Sequence, residues 1–452
     1  MVLVFLMSDL NLSQGMSSAI ESVLGNASLT DFIIDVTITN DNNPLYSFTP
    51  DWVERITILQ DFADAYTDEI TLEFGVAPQD YINMFNNTQG LSVNITFVYV
   101  NPQTGNKAFS PPPLARTYKA LMIDPKDLLK QHTTGQLMPT DQMPLVETHV
   151  SRREHVKLSL MESSAYTIRQ RQYYGTKPDA DLASVIHFIA SQFGVKQIYL
   201  VPPDNKMTWS HVVVPPAQNF DEIFDFLQRQ YGIYMKGIEW YYTGGILYVY
   251  PPYENNPSIK YVADIYNAPG GSYAGLLSFH ETVPASNGVS IVSTTKVHTT
   301  DISRPAAESV GTSYGFMRAA TLIDKTTTTN AQGTFVNNNN SLTVGTVTDR
   351  AASQNANNLK YTETTDNIFY HTSNLAKWNA VLIECGWHKA VPFLLVPGHN
   401  VRYHYDKNGI FTNQQGILEG AAYVFTRSQK IGPNYTYSGT AALKIRAASD
   451  VT

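Results

Sequence analysis

The chain has 452 residues, of which 43% are hydrophobic and 15% are charged, with a formal net charge of −8. This length exceeds the range in which a single core keeps growing, so we expect roughly three domains. No block of Lys or Arg is long enough for a phosphate-binding footprint, which argues against specific nucleic-acid binding. Low charge together with 27 Tyr is typical of proteins that pack against other subunits.

The N-terminal segment, 1–27, begins with an apolar run too short for a membrane span or an ordinary signal peptide. No other stretch approaches 18 apolar residues, so we expect neither membrane insertion nor export. Apolar residues recur on one face of 13–25, which predicts a short helix. The single cysteine, Cys385, excludes an intrachain disulfide and fits a protein made in a reducing cytoplasm.

Period-two patterns dominate residues 28–145. Short runs such as "DFIIDVTIT", "DEITLEFGV" and "LSVNITFVYV" are separated by turns rich in Asn, Asp, Pro and Gly. Several short strands at this spacing predict a small barrel or sandwich. We therefore assign a first β domain to this range.

Residues 146–256 change to a mixed α/β pattern. The stretch "ADLASVIHFIASQFG" has one apolar stripe and ends at Gly194, which predicts a helix with a glycine C-cap. A second helix is predicted from Asn219, which can cap its first turn with Glu222 as capping-box partner. Gly232 ends this helix.

An aromatic hairpin follows, "GIEWYYTGGILYVYPP", with its turn at the Gly244–Gly245 pair. Strand alternation buries one face as ordinary core. The other face also carries Tyr or Trp, so another domain or another subunit must cover it. The candidate interface residues are Trp240, Tyr241, Tyr242, Tyr248 and Tyr250.

The C-terminal half is less regular. Residues 301–385 are rich in Thr and Asn and poor in large apolar groups, so we expect a loop-rich insertion there. The stretch "SNLAKWNAVLIECGWHKA" has helix-like spacing. Residues 386–452 return to a strand pattern, with a tight turn at Asn408–Gly409.

Motifs that carry chemistry are absent or incomplete. The sequence has no nucleotide-binding glycine motif, EF-hand loop or paired CxxC. "HETVP" begins like a zinc motif at His280, but Pro284 occupies the position of the second ligand. "GTSYG" places Ser313 in a nucleophile-elbow pattern, yet no strand pattern precedes it. We therefore expect no catalytic, cofactor-binding or metal-binding residue, and no enzymatic activity.

The order of these elements resembles the baseplate hub proteins of contractile-tailed bacteriophages, the late control protein D group. The resemblance rests on the series "FLQRQYGIYMKGIEWYYTGGILYVYPP" and, in the last domain, on "VPGHNVRYHYDKNG" and "GILEGAAYVFTRS". It is weakest over 295–370. It implies a mixed, mainly β fold with two tube-like β-barrels and, between them, the α/β domain and the insertion. The first barrel would occupy 28–145, and the second would begin at 257–300 and be completed by 386–452.

The resemblance also implies an architectural role. Such a hub is a homotrimer whose two barrels per chain form a pseudo-hexameric ring, joining the hexameric tail tube to the trimeric central spike. The implied partners are two further copies of the chain, the tail tube protein, the spike protein and the baseplate wedge proteins. The implied location is the virion, after synthesis in the host cytoplasm. Two alternatives stay open: a tail-associated peptidoglycan hydrolase, and another baseplate or host-binding tail protein.

A hub ring needs a channel wall that lets DNA pass without holding it. Carboxylates repel phosphates, so acidic residues on or beside strands of the first β domain are candidates to line this channel. The candidate residues are Asp68, Glu69 and Glu73. Without the resemblance, the same residues would be interpreted as ordinary solvent-facing strand residues.

Overall fold

The computed structural model describes residues 13–25, 31–41, 43–86, 90–101, 104–109, 112–123, 153–252, 261–268, 289–293, 298–301, 313–318, 327–329, 335–337, 343–347, 359–363, 369, 380–431 and 434–448. Strands dominate these residues, and the expected mainly β fold with a barrel is confirmed. Within the same residues, no helix is both long and apolar enough to cross a membrane.

The first part of the chain forms two helices and seven strands. The strands have the predicted period of two: in the fourth, Ile70, Leu72 and Phe74 are buried while Glu69 is exposed. The elements are α1 (Gln14–Gly25), β1 (Asp31–Asn40), β2 (Asn43–Phe48), β3 (Trp52–Asp61), β4 (Glu69–Val76), α2 (Pro78–Asn86), β5 (Leu91–Val100), β6 (Lys107–Ala108) and β7 (Leu114–Ile123).

One more strand leads into a continuous α/β unit, residues 163–252, which we call the module. The first predicted helix of the module is confirmed: Asp181 accepts a hydrogen bond from the Ser184 amide at 2.7 Å, and Gly194 ends the helix in the left-handed region. The elements are β8 (Glu154–Glu162), α3 (Ser163–Arg169), β9 (Gln172–Ala180), α4 (Leu182–Phe193), β10 (Gln197–Leu200), β11 (Trp209–Asn219), α5 (Phe220–Tyr231), β12 (Glu239–Thr243) and β13 (Ile246–Tyr250).

Helix α5 is present as predicted, but its capping box is not formed. Asn219 makes no side-chain cap bond; its side-chain oxygen instead accepts a hydrogen bond from Gln172 Nε2 at 3.2 Å. The reason is that Asn219 is also the last residue of β11 and pairs there with Gln172 of β9. Sheet pairing therefore takes the oxygen that the helix would have used.

The remaining elements are strands. A strand replaces the helix predicted from "NAVLIECGWH", because alternate residues Ile383, Cys385 and Trp387 are buried and the segment pairs with the last strand of the chain. The elements are β14 (Tyr261–Asn267), β15 (Val289–Ser293), β16 (His298–Asp301), β17 (Ser313–Arg318), β18 (Thr327–Thr329), β19 (Phe335–Asn337), β20 (Thr343–Val347), β21 (Leu359–Glu363), β22 (Ala380–His388), β23 (Asn400–Lys407), β24 (Ile410–Ile431) and β25 (Asn434–Ala448).

Eight strands close into a barrel in the order β24-β3-β4-β8-β7-β5-β1-β25, and the pairing of β24 with β25 completes the ring. Three of these strands lie outside 28–145. Strand β8 comes from the range assigned to the α/β domain, and β24 and β25 come from the C-terminal range. Phe425 pairs with Ile56 and Tyr437 pairs with Phe32, so the barrel is closed by residues from the far end of the sequence.

The β24–β25 pair, which we call the shared ribbon, also belongs to a second sheet. In β24, residues 420–426 pair with β3 of the barrel, whereas residues 410–417 pair with β23. In the described residues the second sheet has the order β15-β14-β23-β24-β25-β22-β16. Helix α1 contacts β14, β15 and β23, and buries Met16 and Ile20.

The interior divides into two cores. One runs without interruption from the barrel into the second sheet, joining residues such as Leu72 and Phe425 to Ile265 and Val401. The other lies inside the module and is built largely from the apolar faces of α4 and α5. The two cores meet at the hairpin β12–β13, which contributes side chains to both.

Candidate functional site

The hairpin β12–β13 lies between the two cores. Its side chains alternate, so that Tyr241 joins the barrel core while Trp240 and Tyr242 join the module core. Tyr248 and Tyr250 of β13 also belong to the module core. All five side chains are at most 9% exposed in a single chain. The cover that this double-faced hairpin requires is thus supplied by the chain's own barrel.

The module side of the hairpin is an aromatic cluster. The Trp240 ring lies 5.5 Å from Phe220, edge to face, and 5.4 Å from Phe224, measured between ring centroids. Phe220 also meets Phe193 of α4 at 5.1 Å. Such ring pairs add about 0.5–1.5 kcal/mol each beyond the area they bury. The cluster fixes the hairpin against both helices.

The barrel side of the hairpin is polar and centres on Asp68, which is fully buried. Its carboxylate accepts hydrogen bonds from Gln60 Nε2 at 2.8 Å, Tyr241 Oη at 3.0 Å and Thr243 Oγ1 at 2.7 Å. Burial raises the pKa of Asp68, and the positive charge of Arg116 and the donated hydrogen bonds counter that rise. Asp68 therefore joins β3 of the barrel to the hairpin.

Arg116 of β7 connects three parts of the molecule. Its guanidinium donates to Thr243 Oγ1 at 3.3 Å and lies 3.5 Å from the carboxylate of Glu162. Glu162 also accepts a hydrogen bond from the Gly244 amide at 2.9 Å, in the hairpin turn. The guanidinium lies 4.1 Å from the centre of the Phe393 ring, a cation–π contact. The turn residue Gly244 has φ +60°, and a Cβ there would approach Arg116 to 3.0 Å.

Residues 389–399, which we call the wedge loop, pack on the core shared by the barrel and the second sheet. The Ala390 amide donates to the Gly439 carbonyl of the shared ribbon at 3.1 Å. Phe393 has φ +64°, an uncommon conformation for a bulky residue. A Cβ on Gly398 would lie 2.6 Å from the Tyr250 ring, so the loop packs directly on the hairpin. The "PG" and "LYVYPP" motifs that carry the resemblance therefore meet.

A buried ion-pair cluster ties the start of the hairpin to the shared ribbon. Arg446 Nη1 donates to Glu239 Oε1 at 2.9 Å, and Arg446 Nη2 lies 3.4 Å from Glu419 Oε2. Burial raises the pKa of Glu239 to about 7, opposed by the charge of Arg446 and assisted by the charge of Glu419. The hairpin is thus attached to β3, β7, β24 and β25 by buried polar groups.

The three candidate channel residues occupy different surroundings. Asp68 cannot line a channel, because its side chain is fully buried and bonded to the hairpin; the expectation for this residue is wrong. Glu69 is exposed at the start of β4. Glu73 lies on the outer face of β4, 3.9 Å from Lys157. A channel-lining role for Glu69 and Glu73 stays a prediction.

The described residues of the candidate catalytic and metal-binding motifs lie in ordinary structural surroundings. Ser313 begins β17, so a strand follows it in place of the helix that a nucleophile elbow requires. His404 Nε2 lies 2.9 Å from Asp264 and its ring stacks on Tyr266. His280 lies outside the described residues. Among the described residues, no group of three or more His, Cys, Asp or Glu side chains could hold a metal ion.

Several junction residues had no usable signal in the sequence. Arg116 and Arg446 are basic residues inside strands that each carry a Lys as well, and Glu239 is a single acid before an aromatic run. Nothing in strand periodicity says which strand lies opposite, so their partners could not be inferred. Gly398 did have a signal, because it belongs to the "PG" that the resemblance singled out.

Residues 154–262 match the family described as "Bacteriophage PBS1 gene 109 protein". The match covers β8, the whole module and the start of β14. A bacteriophage family over this stretch agrees with the resemblance stated from the sequence. No curated protein matches the chain.

Three solved structures show distant likeness. A tail protein from Neisseria meningitidis has 12% identity and a TM-score of 0.47, covering 92% of this chain and 97% of that one. A 43 kDa tail protein of prophage MuSo2 from Shewanella oneidensis has 9% identity and a TM-score of 0.46, covering 91% and 96%. The prophage tail protein gp18 from Listeria monocytogenes has 12% identity and a TM-score of 0.37, covering 89% and 94%.

Proposed function

We propose that this chain is a structural protein of a phage tail, and more narrowly a homotrimeric baseplate hub that joins the hexameric tail tube to the trimeric central spike. The observation that carries the proposal is the shared ribbon. Strands β24 and β25 belong to the closed barrel and to the second sheet at once, so two β units are fused within one chain.

The symmetry argument follows from this fusion. Three chains with two β units each supply six β units around one axis, which suits a sixfold tube on one side. The same three chains keep threefold symmetry, which suits a trimeric spike on the other side. The continuous core beneath the shared ribbon supports a rigid pairing of the two units, because interiors packed at crystal-like density resist shear.

The family match supports the phage assignment. It covers the module, whose hairpin is bound to both β units by Asp68, Arg116 and the Glu239–Arg446 pair. An adaptor must keep its parts in fixed relation, and hydrogen-bonded charges at a buried junction serve that purpose. The proposed partners are further copies of the chain, the tail tube, the spike and the wedge proteins. The proposed role is non-enzymatic, in the virion.

The test is the mass of the purified protein by light scattering at micromolar concentration, followed by electron microscopy of the particles. We expect three chain masses and a ring with six lobes of density around the axis. Mixing with the tail tube protein should cap tubes at one end only. A monodisperse monomer or a dimer contradicts the hub proposal.

A peptidoglycan turbidity assay tests the alternative of a tail-associated hydrolase. We expect no clearing at catalytic concentrations of the protein. A lysozyme control run at equal concentration shows that the substrate is competent. Clearing that scales with enzyme turnover would overturn the non-enzymatic role.

A further inference from the structure

A groove of about 400 Å³ lies between the barrel and the module. One wall is formed by residues 62–67 of the β3–β4 connection and by Glu69 at the start of β4. The opposite wall is formed by Arg169 at the end of α3, by α5, and by residues 238–240 leading into β12. The groove is next to the hairpin junction, shares Glu239 with it, and opens to solvent.

The charge of the groove is strongly one-sided. Five acids line it, and Arg169 is the only basic residue among the described residues that does so. Loss of solvent raises the pKa of Asp225, with Arg229 acting in the opposite direction. The pKa of Glu239 is raised as well, chiefly by burial. Glu239 is already paired with Arg446, so the excess negative charge of the groove comes from the other four acids, which outnumber Arg169. The acids are Asp64, Glu69, Asp221, Asp225 and Glu239.

A second feature is independent of the acids. Thr67 lines the groove and is 1% exposed, yet its hydroxyl has no hydrogen-bond partner among the described residues. Buried hydroxyls normally have a partner, so this one lacks an interaction that a bound group can provide. Tyr66, Ile238 and Trp240 add apolar walls beside the carboxylates. Apolar walls with acidic ends suit a side chain that has a long stem and a cationic head.

A single metal ion does not fit this lining. Within the described part of the chain, no three His, Cys, Asp or Glu side chains come close enough to ligate one ion. The carboxylates are distributed along the groove, on the β3–β4 connection and on successive turns of α5. A spread of charge of this kind matches several cations carried on one extended chain.

We propose that the groove binds an extended segment of a partner protein that carries Lys or Arg side chains. The carboxylates would accept charge-assisted hydrogen bonds from the cationic heads. The stems would lie along Tyr66 and Trp240. This inference goes beyond the hub role and does not depend on it, because it concerns the chemistry of one groove in a single chain.

The test uses the full chain and a fluorescein-labelled peptide that alternates Gly with three Arg residues. A matched peptide with Gln in place of Arg is the neutral control. We expect saturable binding of the Arg peptide by fluorescence anisotropy, and at least a tenfold weaker affinity for the triple variant Asp64→Asn, Asp221→Asn, Asp225→Asn. The variant Arg169→Gln should bind more tightly than the unchanged protein, because it removes the opposing charge.

A control triple variant removes the same charge elsewhere: Asp35→Asn, Asp51→Asn, Glu222→Gln. Glu222 is exposed on α5 next to Asp221 but does not line the groove. We expect less than a threefold change for this variant. Equal losses in the two triple variants would overturn the proposal, since an acidic protein attracts any polycation. Carbodiimide coupling of a Lys version of the peptide mainly to acids outside the groove would also overturn it. So would displacement by micromolar Ca²⁺, or by spermidine at the concentration of the peptide.

Discussion

The barrel and the module bury their apolar surface in opposite ways along the sequence. The module closes within one continuous stretch, 163–252, and each strand or helix packs on a near neighbour in the chain. The barrel draws its strands from both ends, since β1 pairs with β25 and β3 pairs with β24. The hairpin joins the two, with an aromatic face toward the module and a hydrogen-bonded face toward the barrel. A continuous unit can be recognised from local patterns, whereas a discontinuous one cannot.

The largest expected effect comes from removing the strands that make the barrel discontinuous. Ending the chain at Gly409 deletes β24 and β25 and opens the barrel along β1 and β3. We expect loss of the barrel's cooperative unfolding transition, with rapid proteolysis of 31–123 and longer survival of 163–252 in mass spectra of the digest. A chain ending at Ala448 is the control. Equal protease resistance of barrel and module in the shortened chain would show that the barrel does not depend on its C-terminal strands.

Alanine substitutions at two glycines, Gly398 in the wedge loop and Gly409 in an open turn, test how tightly the wedge loop packs on the hairpin. Gly398→Ala adds a Cβ at 2.6 Å from the Tyr250 ring in a left-handed conformation, so we expect a loss of about 3 kcal/mol in the free energy of unfolding. Gly409→Ala has a similar φ of +80° but meets no atom within 4 Å, so about 1 kcal/mol is expected. Urea denaturation measures both. Equal losses would mean that the loop does not press on the hairpin.

The pH dependence of stability tests the ion-pair cluster at the base of the hairpin. Folding raises the pKa of Glu239 from 4.5 to about 7, so between these values the folded chain holds a proton that the unfolded chain has released. The stabilisation of the folded chain by this bound proton is fully present below pH 4.5 and is lost as the pH rises through 7. We expect about 2–3 kcal/mol less stability from this group at pH 8 than at pH 5.

Glu239→Gln isolates this group, because the amide keeps the shape and cannot titrate. Its free energy of unfolding, measured by urea denaturation at pH 5 and pH 8, should change less between the two than that of the unchanged protein. Burial also raises the pKa of Asp68, so this residue adds a pH dependence of the same sign. It is present in the unchanged protein and in the variant, so it does not affect their difference. Identical pH profiles for the two would show that Arg446 holds Glu239 charged throughout.

The smallest expected effect concerns the polar face of the hairpin. Tyr241→Phe removes one of three hydrogen bonds to Asp68 and keeps the ring in the barrel core, so we expect a loss of about 1 kcal/mol. A double-mutant cycle with Asp68→Asn separates the hydrogen bond from the change in packing. A coupling energy near zero would show that the hydroxyl and the carboxylate act independently.

The sequence predicted what local patterns can encode. The helices at 182–193 and 220–231, the aromatic hairpin and the strands β1, β3, β4 and β5 follow from periodicity, glycine stops and turn residues. The prediction failed where partners are distant. Periodicity says that Phe425 faces a core, but it cannot say that the core belongs to a barrel begun by Phe32.

Only part of the candidate site could be predicted from the sequence, again because the partners of its residues are distant in the chain. The hairpin residues were identified, and the need for cover on both faces was recognised from their composition. The sequence does not predict the burial of Asp68, because an acid beside a turn is ordinarily exposed and two of its three donors, Tyr241 and Thr243, lie far away in the chain on β12. The short apolar run at 380–388 has a spacing that fits either period, and the helix that it predicts is wrong, because the segment is a strand.

The shared ribbon also has a consequence for the order of events during synthesis. At about 5–20 residues per second, the edges of β1 and β3 wait tens of seconds on the ribosome before β25 and β24 are made. The module emerges complete in that interval and can fold first. Unpaired strand edges are templates for the wrong partner, and pairings between distant residues form slowly. The nascent chain is therefore most vulnerable to aggregation before its last residues appear, and holdase chaperones would act in that interval.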